Sequence, residues 1–387
     1  MVSDTGVRRG HSVQADAFAA IDELWEQVFQ QDAKLTAFFC ASSYDLDRIA
    51  LRVRERFGEA NVVGCTTAGE MGPAGCLEDS VSAFSLAGPS FEVVTTRLDG
   101  ISNFRVSHAR NQVQALLGEL SAKGVRPSHN NTFGFQLIDP MPEREEVVTS
   151  ALHSALADIP MIGASAGDGL RFERAFLFHQ GKFRTDCVLL SLVTTTRNLA
   201  LFRAHDFVEC GERLIITESD PAGRVVMEIN GESAAHEYAN AIGVPVEDLS
   251  PAVFAEHPVL LSIGGELHAR SIRKVREDGS IVFGCAIDQG LVLRAGKPLN
   301  DMKSLWSKIE SQRSAFGRPV LTLGCDCVYR RLEAIRTGRR DLVSKVLQDN
   351  NVVGLVGYGQ QIGGLSDGHT FVGMAIGNEV AANVRPR

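Results

Sequence analysis

Short apolar runs and longer stretches of helical spacing alternate along the 387-residue chain, and the alternation repeats. Three runs read almost alike: VVGCTTAGE at 62–70, MIGASAGDG at 161–169 and VVGLVGYGQ at 352–360. Each is a strand-like run entering a loop of small residues, and the loops carry the triplets Ala68-Gly69-Glu70, Ala166-Gly167-Asp168 and Tyr358-Gly359-Gln360. A second apolar run precedes each one: LTAFFC from Leu35, NTFGFQLI from Asn131 and PVLTLG from Pro319. A third follows it: DSVSAFSLAG from Asp79, TDCVLLSLV from Thr185 and HTFVGMAIG from His369.

Helical spacing fills the intervals. Leu46, Ile49, Ala50, Val53 and Phe57 share one face of a helix predicted over 45–57, and helices over 144–157 and 328–347 occupy the matching places. A further helix is expected ahead of each unit, over 13–29, 106–120 and 302–316. This self-similarity bears on architecture before any motif does, and its long, irregular period excludes a solenoid. The expected fold is α/β: two domains of repeated strand, helix, strand, glycine-loop and strand units, with mixed sheets covered by helices. After Val193 the pattern turns to alternating apolar positions and a turn cluster at 219–223. That change places the domains at 1–218 and 219–387. The second opens on a strand, an Asn230-Gly231 turn and a helix, and has a hairpin centred on Asp278-Gly279.

Length supports two cores, since a single core rarely grows past ~250–300 residues. A net charge of −8 argues against a sequence-independent phosphate binder, so no nucleic-acid partner is expected. No run nears the ~20 apolar residues of a membrane span, and no apolar segment follows the charged N-terminus as in a secretory leader. The expected location is cytoplasmic. The eight cysteines there read as reduced core residues.

The order and spacing of GCTTAGE, DSVSAFSLAG, VMEINGESAAHEYANAIG, VGYGQQIGG and HTFVGMAIG resemble the FIST family, a FIST N-terminal domain followed by a FIST C-terminal domain over essentially the whole chain. The resemblance implies a cytoplasmic signal-input protein. In length and in carrying no appended output domain, the chain is similar to bacterial stand-alone members that bind haem, sense nitric oxide and act on a partner histidine kinase or cyclic-di-GMP enzyme. Gln360 stands where the family usually has Glu, and Gly368-His369 stand where an Asn precedes the closing Thr.

Residue chemistry gives the candidates. Backbone N–H groups of the glycine loops, Gly69, Gly167 and Gly359 among them, would suit an anion, but the first loop lacks the spacing of a dinucleotide fingerprint and none carries a P-loop lysine. Their simplest role is as tight turns that bring Glu70, Asp168, Tyr358 and Gln360 toward a shared cavity or cap the local backbone. Cys325 and Cys327 enter a helix but lack the spacing of a dithiol or zinc site. Of ten histidines, His369, His236 and His268 are the candidate iron ligands, with His369 foremost.

The resulting expectation is a non-enzymatic haem-based nitric-oxide sensor with a small gaseous ligand, and a homo-oligomer is compatible with it. The alternatives are a FIST sensor of a small polar metabolite such as an amino acid, and a cysteine-dependent enzyme using Cys325 or Cys327.

Overall fold

Aspartates set the helix starts where the sequence places them. Asp45 Oδ1 accepts the N–H groups of Asp47 and Arg48, both at 3.1 Å, and begins Leu46–Phe57. Asp16 does the same for Ala17–Val28, whose expected start at 13 gives way to an edge strand, Val7–Ser12. The expected helix over 328–347 is two helices, Val328–Arg336 and Arg340–Asp349, because Gly338 adopts φ 67° between them. The computed structural model describes residues 5–299 and 303–380; Met302, the expected start of a third outer helix, lies outside the described residues, and that helix is described over Lys303–Phe316.

Each repeat builds one sheet. The first contributes Val7–Ser12, Ala33–Ala41, Val62–Thr67 and Val81–Ala87; the second Phe91–Asp99, Thr132–Ile138, Met161–Ser165 and Cys187–Thr195. The third contributes Arg197–Ala204, Leu321–Cys327, Val352–Gly357 and Phe371–Val380. Strand order is the same in all three, with only the middle pair parallel, as a helical crossover requires. These central strands are buried on both faces, which explains their unbroken apolar runs. Phe39, Phe135, Leu137, Leu323 and Leu355 point into a core shared by all three sheets, whereas Phe38 and Ile138 face their own helices.

The glycine loops do not run directly into the last strand, as the sequence reading has it. A short hairpin intervenes each time and leaves its own sheet. Glu70–Gly72 pairs with Val352–Gly357 of the third unit, Leu177–His179 with Val62–Thr67 of the first, and Gln360–Ile362 with Met161–Ser165 of the second. The exchange is cyclic, so no unit completes its sheet alone.

One glycine per unit lets the central strand pack closely against its own parallel neighbour. Gly64 lies between Phe38 and Phe178, Gly163 between Gln136 and Gln361, and Gly354 between Gly324 and Met71, at the same register each time. A Cβ there would sit 2.7 Å, 2.5 Å and 1.8 Å, respectively, from a carbonyl oxygen of the neighbouring strand.

Between Ala204 and Lys303 the chain makes a separate antiparallel sheet with Ala234–Ile242 and Pro251–Glu256 beside it. The sequence boundary at 218/219 falls inside its long strand Phe207–Asp220, and the third unit packs with the first two around the shared core. Arg224 joins this inserted sheet to the second unit through Glu145 at 2.9 Å and Glu146 at 2.7 Å.

Gly354→Ala is expected to destabilise the protein by about 3 kcal/mol or to prevent folding, as overpacking against a backbone does. Gly118→Ala, in open space on the helix Val106–Ala122, is the control and should stabilise by up to about 1 kcal/mol. Denaturant titration of the two variants checks both.

Candidate functional site

Strand register sets the three loops against one another differently from their triplets. The triplets align Gly167 with Gly69 and Gly359; the paired strands align it with Ala68 and Tyr358. Those three residues meet: a Cβ on Gly167 would lie 3.2 Å from the Ala68 nitrogen and 3.3 Å from the Tyr358 ring. Tyr358 is the large side chain at this meeting point, packed against Gly167. Reciprocal backbone bonds close the ring. Ala68 and Gly69 bond to Val356, both at 2.8 Å; the Gly167 N–H donates to Thr66 at 2.9 Å; and the Ser165 N–H donates to Gly359 at 2.9 Å.

Asp168 and Tyr358 are tied together across that ring. The tyrosine hydroxyl donates to Asp168 Oδ1 and accepts the N–H groups of Asp168 and Phe172 at 2.9 Å and 3.1 Å. Asp168 also accepts from the N–H groups of Phe172, Glu173 and Arg174, so its carboxylate shapes the loop after it. Burial and the Asp168 partner push the Tyr358 hydroxyl above its ordinary range. The Phe172 ring stacks on Tyr358 with centroids 4.3 Å apart.

Beside this stack an open cleft of about 290 Å³ runs between the first and second units, walled by Ser42, Thr67, Gly69, Glu70, Asp168, Arg171 and Arg331 among others. Glu70 is 1% exposed and takes hydrogen bonds from the hydroxyls of Thr67 and, at 2.6 Å, Ser80. Burial pushes its carboxyl up to about 7, with those hydroxyls and the charge of Arg331 pulling the other way. Arg331 crosses over Gly69, which has φ 145° and no Cβ to obstruct it, and donates to the Ala68 carbonyl. Its other partner is Glu78 at 2.9 Å, which also meets Arg340 at 3.3 Å.

Behind Glu70 and Arg331 lies a narrow pocket of about 50 Å³, with room for a few waters. Arg330 there bridges Asp326 at 2.8 Å and Asp206 at 3.0 Å. Burial drives the Asp326 carboxyl up against the pull of Arg330.

Gly69, Glu70 and Asp168 therefore share the open cleft, while Gly167, Tyr358 and Gly359 lie in the loop ring beside it and do not line it. Gln360 is fully buried and donates to the Asp326 carbonyl at 2.9 Å, a backbone-holding role. Sequence reading missed Arg331, Ser80 and Arg171; the consecutive Arg330-Arg331 soon after the Cys-x-Cys strand is the signal that was available.

The histidines lie elsewhere. His236 is exposed and contacts Asn240 at 3.2 Å. His268 is buried 3.4 Å from Asp367, which Arg203 also holds at 2.7 Å. His369 is buried with φ 48°, stacked on Tyr329 at 4.8 Å, and burial holds its imidazole down to about 3, hence neutral. Its Nε2 has no hydrogen-bond partner, which suits a ligating nitrogen. Yet none of these histidines lines the principal clefts, and the room at His369 is filled by Tyr329 and Phe207. The residues do not fit a haem macrocycle. Among the described residues no group of three or more His, Cys, Asp and Glu side chains is placed to hold a metal ion. Cys325 and Cys327 are fully buried, and burial raises both thiols, Cys327 to about 11.

Comparison with known families matches the FIST N domain to residues 34–232 and the FIST C domain to residues 234–362. The chain belongs to the FIST family. FIST domains are sensor domains of signal transduction, and the open cleft lies within the FIST N match except for Arg331. A curated relative is the uncharacterized protein MJ1623 of Methanocaldococcus jannaschii, 22% identical over 60% of this chain; the chain spans about half that relative's length, 51%. A solved structure, the cyanuric acid hydrolase from A. caulinodans, aligns over 96% of this chain and 99% of its own with a TM-score of 0.42 and 8% identity, too distant to carry any argument. Among the described residues no helix of this FIST protein is long and apolar enough to cross a membrane.

A carboxyl whose folded value is raised binds its proton more tightly in the native state, so ionising Glu70 costs stability as pH rises from about 4.5 to 7. Glu70→Gln removes that loss. Across that interval the parent should lose up to about 3 kcal/mol more than the variant in denaturant titrations at several pH values. Parallel pH dependence in the two proteins would contradict the assignment.

Proposed function

We propose that this FIST protein senses a small metabolite carrying both an ammonium and a carboxylate, of the amino-acid type, bound in the cleft beside the loop ring. The observation that carries the reading is Glu70: a fully buried carboxyl held by the Thr67 and Ser80 hydroxyls and the Ser80 backbone, next to a guanidinium already committed to a carbonyl and to Glu78. An ammonium group supplies the charge this carboxyl lacks, and the gain is large because the carboxyl is buried. Arg331 and Arg171 are the cations within reach of the other end of such a ligand, Arg171 anchored by Ser42 at 2.7 Å and near Asp168 at 3.8 Å. The volume of about 290 Å³ suits a small metabolite.

Haem-based nitric-oxide sensing is the less supported reading, since the nominated histidines open onto no cleft of suitable size. The protein then acts by binding and not by turnover, a reading supported by the protonated, buried thiols of Cys325 and Cys327. All eight cysteines are free, in keeping with a cytoplasmic setting. The output passes to a partner, and a histidine kinase or cyclic-di-GMP enzyme is the class the resemblance implies.

Calorimetric titration with each standard amino acid is the test. One or a few should bind, and Glu70→Gln or Arg331→Ala should weaken binding at least about tenfold, the cost of a lost charge-assisted contact. No binding by any of them, together with a Soret band that shifts on adding nitric oxide, would overturn the proposal in favour of haem.

A further inference from the structure

The inserted sheet touches the helix and the loop that supply opposite sides of the cleft through neighbouring residues of one strand, Ile272–Val275. The Ile272 carbonyl accepts from the Tyr329 hydroxyl at 2.7 Å, and Tyr329 sits on the helix that carries Arg331. Arg273 lies over the Phe172 ring, 6.0 Å from its centroid, and Phe172 belongs to the loop that follows Asp168 and Arg171. The same guanidinium donates to Glu143 at 3.2 Å. Behind both contacts is one apolar cluster in which Ala255 of the inserted region packs with Ala68, Val356 and Tyr329, with Phe172 and Tyr358 against them.

Phe172 and Glu143 share a second property. Each is a non-glycine residue held at φ 56°, and for a bulky residue such as Phe172 the left-handed region is a genuine outlier. Strain of this kind persists only where surrounding contacts impose it, and it collects at sites that change state. Phe172 is held by its N–H bonds to Asp168 Oδ1 at 2.9 Å and Tyr358 Oη at 3.1 Å, by the stack on Tyr358, and by Arg273 above. Asp168 and Arg171 wall the cleft, so a ligand there acts on the first of these restraints. Arg273 supplies the last, from a different sheet.

We propose that Arg273 is a positioning residue: through Phe172 it holds the strained loop 168–174 in place, and it makes the inserted sheet the element that registers occupancy of the cleft. A ligand that tightens Asp168 and Arg171 tightens Phe172 under Arg273; loss of Arg273 frees the loop and changes ligand affinity from outside the cleft. The direction is reciprocal, as any coupling free energy must be. This role rests on the reading of the cleft as the ligand site.

Amide hydrogen exchange on the full chain tests it, first without ligand. In Arg273→Ala the amides of Phe172, Glu173 and Arg174 should exchange about tenfold faster, with the strand Val62–Thr67 unchanged, whereas Arg273→Lys, which keeps a cation over the ring, should stay near the parent. Unchanged exchange at 172–174 in Arg273→Ala would overturn the proposal, and so would a rise of equal size at Val62–Thr67, which signals general loosening. The second arm adds a saturating mixture of the standard amino acids. Protection of Ile272–Val275 should rise in the parent and not in Arg273→Ala. Calorimetric binding without any change at 272–275 sinks the coupling while sparing the ligand site. Faster loop exchange in Arg273→Ala with no amino acid bound sustains the positioning role and removes the metabolite reading.

Discussion

Everything in this chain depends on the exchange of hairpins among the three repeats. A sheet that borrows its last pair of strands from another unit has no stable existence without that unit, because its edge N–H and C=O groups would lie bare beside the apolar core. The exchange closes on itself. Backbone bonds between Ala68 and Val356, Gly167 and Thr66, and Ser165 and Gly359 join each loop to a strand end of another repeat. Glycine at one register position in every repeat lets the strand that hosts the borrowed hairpin lie close to its own parallel neighbour.

The cleft follows from that closure. Where three loops converge, only Tyr358 is large, and its hydroxyl fastens Asp168; the neighbouring position leaves Glu70 buried under Arg331. Burying a carboxyl without a matched cation is costly, and the cost appears as the raised Glu70 carboxyl. The inserted sheet leans on the same convergence point through Ala255, Ile272 and Arg273, so the site and the appended element share a boundary.

Much of this was legible from residue order. The repeats, their strands and their helices showed as periodicity, and Asp45 marked a helix start that the structure keeps. The borrowed hairpins were not legible, because strands such as Glu70–Gly72 and Gly75–Leu77 are too short to carry a period and the host strand of Glu70–Gly72, Val352–Gly357, lies far along the chain. The one-residue offset of Gly167 was hidden for a related reason: small residues on both sides let the triplets slide. Glu70, Gly69 and Asp168 stand out in the sequence because they end apolar runs, and the structure places them along one cleft. Arg331 does not stand out, since its place over Gly69 comes from the third repeat folding back onto the first.

Cooperative unfolding of the interlocked repeats is the most direct check on the central claim. The chain has two tryptophans, Trp25 on the outer helix of the first repeat and Trp306 on that of the third. Equilibrium denaturation of Trp25→Phe and Trp306→Phe, each followed by its remaining indole and by far-ultraviolet circular dichroism, reports the two repeats separately. Coincident transitions for both indoles, each matching the dichroism of its own variant, are the predicted result. If one repeat lost its tryptophan signal at a distinct, lower denaturant concentration while the other stayed folded, cyclic dependence of the three sheets would be contradicted.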